Sequence, residues 1–264
     1  MKQRAKAFFY GILAVSAFAL ILAACPTNTS SNPADNTPRL KLSGKVYTQD
    51  IDPQTYKVTT SPYNDSLSIS DRGMGGAGEI KKGQLDYTII GEPLNLSSIN
   101  EGGGLDYLKD MYPTLKFSPE DAKAAVAVLE ITDSEEYGGL LKGLLDIKML
   151  AFPPNASIKT VNYVYVDRRM QITADLYEYH TDDYGLPMVL TSEKINLNLK
   201  KGWNALYSEI TARLDMTTSN LRGNLKMSVS DPADLKWTLV SSEYLGIDPV
   251  EPEYPEPPEP PDFE

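Results

Sequence analysis

The sequence predicts an all-β protein: two β-sandwich-like lobes with short helices between them, carried behind a disordered tether. Three observations predict it. Short runs of alternating apolar and polar residues recur at roughly ten-residue intervals with turn residues between them, the spacing of sandwich strands rather than of an α/β fold. Helical spacing stands out near residues 105–125, the exception in the middle of the chain. One cysteine occurs in 264 residues, so no disulfide frames the fold, and 41% apolar residues with 16 Tyr must supply a core unaided.

The chain opens with Lys2, Arg4 and Lys6, continues in an apolar run from Ala7, and has no acid before Asp35. These are the basic, apolar and small-residue parts of a secretory signal. The run closes on Leu22-Ala23-Ala24-Cys25, which resembles the lipobox of bacterial lipoproteins. That resemblance covers about the first 25 residues. It implies that residues 1–24 are a signal peptide, that the Cys25 thiol takes a diacylglycerol, and that cleavage before Cys25 frees an amine for acylation. Two other readings stay open. The apolar stretch reaches the lower length limit of a membrane span and would serve as an uncleaved anchor; alternatively, Cys25 is a stray residue beside an ordinary cleavage site.

Residues 25–38 then form the lipidated end and its tether. From Pro26 to Pro38 nothing apolar exceeds Ala or Pro, so the segment has nothing to bury and reads as a disordered spacer of roughly 45 Å at full extension. The first lobe is placed at 39–131. Leu40, Leu42 and Val46 alternate with Lys41, Ser43 and Lys45; Tyr56 with Val58, and Leu67 with Ile69, mark two more strands. Gly78-Glu79-Ile80 and Leu85 to Ile89 flank Lys81-Lys82-Gly83-Gln84, a hairpin with Gly in its turn. Leu105, Leu108 and Met111 or Tyr112 recur at helical spacing up to Pro113, and Ser118-Pro119-Glu120-Asp121 has the cap, proline and acids of a helix start. The helix expected there is short, because Val126 to Ile131 turns β-branched.

The second lobe is placed at 132–246. The Leu-rich run from Tyr137 to Leu150 fits either period and is read as strand. Val161 to Val166, apolar or aromatic apart from Asn162, reads as a central strand covered on both faces. Ile172 to Leu176 and Ile195 to Leu199 alternate, Lys200-Lys201-Gly202 turns, and Leu225 to Val229 and Trp237 to Leu239 complete the set. Trp203 and Trp237 fall on apolar phases and are assigned to the core; stacking on sugar is the sharper alternative. Residues 247–264 form an acidic Pro-rich tail of polyproline type, a solvated spacer in the plainer reading.

Beyond the lipobox, Ser43 to Tyr47, the Gly78 hairpin, Tyr163 to Asp167 and Leu199 to Asn204 resemble uncharacterised β-rich lipoproteins of host-associated bacteria. The likeness spans residues 40–240 and implies no activity.

Composition narrows the chemistry. Without residues 1–24 the chain loses three cations and no acids, leaving 22 basic groups against 36 acidic ones, a formal charge of −14. Such a surface is repelled by phosphate backbones, so nucleic acid is not an expected partner. The expected partners are the membrane, through acylated Cys25, and an envelope protein or glycan. Gly73 to Gly78 matches G-x-G-x-x-G, but a strand and turn follow where a dinucleotide site needs a helix, and the glycines read as a mobile loop. His180 is the lone histidine, in what reads as a polar loop, Tyr179 to Gly185; it rules out a His-pair zinc site. Asp50-Ile51-Asp52, Ser134-Glu135-Glu136 and Asp182-Asp183 offer oxygen ligands without the spacing of a calcium loop. No catalytic, metal or cofactor residue is therefore assigned, and lipidation at Cys25 is the one site. The functional expectation is a non-enzymatic binding or display protein of the envelope. An envelope hydrolase acting on glycan or peptide, and a pilin-type fibre subunit, are the alternatives.

Overall fold

A computed structural model describes residues 37–241, apart from 53, 54, 56, 72, 73, 95, 99–113, 149–154, 182–187, 216 and 219. The expected signal peptide, Cys25, most of the expected tether and the tail beyond 241 lie outside the described residues. So do Asp182-Asp183 and residues 105–113 of the expected helices.

Every regular element among the described residues is a strand. In chain order they are β1 (Arg39–Ile51), β2 (Val58–Pro62), β3 (Leu67–Ser70), β4 (Gly76–Lys81), β5 (Gln84–Ile90), β6 (Ser97–Ser98), β7 (Lys116–Ser118), β8 (Lys123–Ala127) and β9 (Leu129–Ile131). Then come β10 (Tyr137–Lys148), β11 (Asn155–Val166), β12 (Met170–Ala174), β13 (Tyr177–Thr181), β14 (Met188–Ser192), β15 (Ile195–Leu199), β16 (Gly202–Asp215), β17 (Asn220–Ser228) and β18 (Lys236–Ser241).

Seven of them close on themselves. β10 pairs with β18, β18 with β1, β1 with β5, β5 with β4, β4 with β3, β3 with β9, and β9 returns to β10. Antiparallel alternation cannot close over an odd number of strands, and the ring resolves this with one parallel contact, β1 on β18 at Val46↔Trp237. The register steps two residues along β9, two along β3 and four along β1 from Thr48 back to Gly44. That stagger of about eight residues over seven strands is the geometry of a small, side-chain-filled barrel.

The rest of the main sheet is an open arm that leaves the ring through β10, in the order β10-β11-β16-β17-β14-β13. β11 pairs with β16 along its whole length; its other edge meets β10 up to Val161 and β8 from Tyr163 onward. This is the central strand that its apolar run, broken only at Asn162, predicts, and all six residues from Val161 to Val166 are buried. A separate three-stranded sheet, β15-β12-β7, turns Ile195, Leu197 and Leu199 into the same buried cluster as Val164, Val166 and Leu206 of the arm. That cluster continues into the ring through Leu40, Ile80 and Tyr87, and Tyr163 stacks on Trp237 at 5.6 Å across the junction.

Two expectations are corrected here. The fold is all-β, but a closed ring stands where the first sandwich lobe was expected, and it draws β10 and β18 from beyond residue 131. The described part of the expected helices, 114–125, is strand and turn. β7 ends at Ser118, the Ser118-Pro119 bond is cis, Ala122 N–H reaches Pro119 O at 3.3 Å, and β8 begins at Lys123. The local helix signal loses to tertiary pairing: β7 joins β12, β8 joins β11, and Phe117 and Ala122 are buried.

The glycine cluster is corrected too. Gly76 and Gly78 lie in β4, not in a mobile loop. A Cβ on Gly78 would stand 2.2 Å from Asp86 O, and one on Gly76 would stand 2.5 Å from the Tyr87 ring. These glycines let the β4 backbone lie directly against buried Tyr87. Asp71 accepts the Met74 and Gly76 amides and fixes the turn before the strand. Burial and the neighbouring Asp71 carboxylate both push the Tyr87 phenol well above its ordinary range.

Candidate functional site

The arm has two unlike faces, as the alternation in its strands dictates. One face is covered. Ile158, Ile210, Leu225 and Ser192 share a row across four strands and are all buried. Thr160 and Ser208, one step along, meet hydroxyl to hydroxyl at 2.7 Å in the interior. Further down, Ala156, Ile158, Ala212 and Leu221 form a second buried cluster under Ile51 and Val58 of the β1–β2 hairpin.

The opposite face is polar and open. One row carries Asp146, Ser157, Thr211, Asn224, Thr191 and Glu178 across six strands, and none of the six is buried. The next row carries Lys159, Glu209 and Lys226. Glu209 is engaged from two sides: Tyr207 O–H donates to it at 2.9 Å, and Lys159 Nζ lies 3.4 Å away. Burial, followed by the Glu209 hydrogen bond, pushes the Tyr207 phenol upward. Above that row the link from β17 to β18 lies across the face, with Asp231 paired to Lys142 and Asp234 near Tyr207. Beyond the link the same face turns apolar, with Tyr163, Tyr165, Trp203 and Trp237 inside.

His180 sits in this polar face, on β13 rather than in a loop. It is exposed and lies 3.1 Å from Glu178 Oε1, two residues back on the same side of the strand. Asp182 and Asp183 fall outside the described residues. In the other two acidic groups a side chain serves the backbone: Asp52 accepts the Thr55 amide at 3.0 Å, and beside Glu135 and Glu136 it is the Ser134 hydroxyl that accepts the Tyr137 amide, at 3.1 Å. Among the described residues no three His, Cys, Asp or Glu side chains come together as a metal site requires.

Among the described residues, three carboxyl groups are held below the ordinary aspartate range, each by a structural partner. The Ser68 amide holds Asp133 down. Asp167 is desolvated, but the hydrogen bonds from Arg168 and the Lys123 amide outweigh that burial. The Thr217 amide leads in drawing Asp215 to about 2. A general acid at neutral pH needs the opposite shift, so these groups are staples of turns and not proton donors.

Both tryptophans are core residues, 7% and 5% exposed. Trp237 Nε1 donates to Ser43 O at 3.2 Å, and Trp203 packs edge-on against Tyr165 at 5.5 Å. Sequence reasoning missed the polar row. Each strand's alternation is visible, but the neighbours that align Ser157 with Thr211 and Asn224 are set by pairing over long separations. No protein-family model, curated protein or solved structure matches this chain.

Proposed function

We propose that the chain is a membrane-anchored envelope lipoprotein whose fold binds or displays, without catalysing a reaction. Acylation of Cys25 supplies the attachment, and an envelope protein or glycan is the partner class. In this reading the chain keeps two lobes, near 39–131 and 132–246, with the second lending β10 and β18 to close the first. The observation that carries the proposal is the open polar row from Asp146 to Glu178, whose hydroxyls, amide and carboxylates are set out on rigid strands. Such a surface suits hydrogen-bonded contact with a polar partner, and the nearby Glu209 carboxylate is already engaged by Tyr207 and Lys159. The test uses the mature chain without its lipid. It is expected to show no turnover on glycosidase, esterase and peptidase substrate panels, and to bind cell-envelope glycan or protein fractions in a way that Thr211→Arg removes. Turnover that Glu209→Gln or His180→Ala abolishes would replace this reading with the hydrolase.

A further inference from the structure

The chain enters the fold beside apolar side chains that the core does not use. Gly91 N–H donates to Pro38 O at 2.8 Å, and Arg39 stands opposite Ile90 at the end of β5. Along β5, Leu85, Tyr87 and Ile89 point inward, and Gln84 and Asp86 point out with the polarity expected of a solvent face. Ile90 breaks that pattern. It is on the outward phase and 54% exposed, and Leu94 on the following turn is 83% exposed. Arg39, opposite Ile90, and Lys41, opposite Thr88, are exposed on the outward phase of β1, with Lys41 3.2 Å from Asp86.

This patch lies where the fold meets its tether. Thr37, the first described residue, is twelve positions after Cys25, a reach of at most about 40 Å when extended. We infer that Ile90 and Leu94 are a lipid-contact patch that seats the fold on the membrane holding its own acylated Cys25. The inference rests on the lipoprotein reading above. Two side chains are too little for an independent membrane site, and the formal charge of −14 opposes binding to anionic lipid. The tether removes both obstacles: it holds the patch at high effective concentration beside the bilayer, so a weak contact is made repeatedly. Arg39 and Lys41 then lie level with the phosphate layer while Ile90 and Leu94 enter the boundary below it.

The test uses the full mature lipoprotein reconstituted in phosphatidylcholine–phosphatidylethanolamine vesicles. The Cys25 thiol is consumed by its lipid, so Leu94→Cys gives a single free thiol for an environment-sensitive dye, at a position too exposed to endanger folding. Val229→Cys, at another exposed apolar residue, is the reference. The expected result is a blue-shifted Leu94→Cys label that brominated lipid quenches, beside an unshifted and unquenched Val229→Cys label. An acylated protein whose two labels both report water overturns the patch. A blue shift already present in detergent-free buffer without vesicles also overturns it, in favour of a second copy as the occupant. Failure of a fatty-acid probe to label the chain overturns the lipoprotein reading itself, and with it the proposal.

Discussion

The closed ring and the open arm are built from the same kind of strand, yet they solve opposite problems. In the ring every strand has two neighbours, and inward residues such as Leu40, Ile80, Tyr87 and Ile89 are at most 2% exposed. The arm ends at β13, which among the described residues pairs with β14 alone, and it leaves the polar part of one face, from Asp146 to Glu178, uncovered. Closure removes the edge that would recruit other strands; openness keeps a face available for contact. Closed packing and an open polar face thus fall on different stretches of one continuous sheet.

The sharpest way to break the comparison is to reopen the ring. Gly78→Val places a branched side chain against Asp86 O at a backbone angle of φ +156°, and is expected to cost about 3–5 kcal/mol in urea unfolding. A loss under about 1 kcal/mol would show that the β4–β5 contact is not as close as described. Next comes the covered face of the arm. Ser208→Ala leaves the Thr160 hydroxyl without its buried partner and is expected to cost about 1–2 kcal/mol, whereas adding Thr160→Val should recover most of that loss. Equal losses in the single and double variants would mean the two hydroxyls are not coupled.

The open face should respond differently. Thr211→Arg is expected to shift stability by no more than about 0.5 kcal/mol while removing partner binding. A loss of stability comparable to that of Ser208→Ala would show that the face is covered. The smallest effect is electrostatic and sits at the tip of the arm. Because Asp215 is drawn down to about 2 from an ordinary 3.8, its contribution is present above 3.8 and fades as pH falls through 2. The Thr217 amide resonance should titrate with a midpoint near 2, and Asp215→Asn should abolish that titration. A midpoint near 3.8 would show that the capped turn does not persist.

Much of the local structure was legible, because it depends on neighbours in sequence. The Gly78–Ile89 hairpin with Lys82-Gly83 at its turn, the strict alternation of Ile195 to Leu199, and the doubly covered strand from Val161 all follow from period and turn chemistry. The Leu-rich run after Tyr137 was ambiguous alone and became β10 because β11 and β18 flank it. The capping signal at Ser118 misled because Phe117 and Ala122 gain more from joining the core than a short helix gains from its cap. Closure of the ring was not legible, since Val46 meets Trp237 across nearly the whole fold. The polar row was hidden for the same reason.

That single parallel contact has a consequence in time. Among the described residues β1 is the first strand and β18 the last, yet the ring needs them side by side. Its first strand therefore waits, with one edge unpaired, until the last has been made and delivered. A chain arranged in this way folds slowly and late. Until β18 arrives, Leu40, Leu42 and Val46 stand beside an incomplete ring, with apolar surface exposed to other chains.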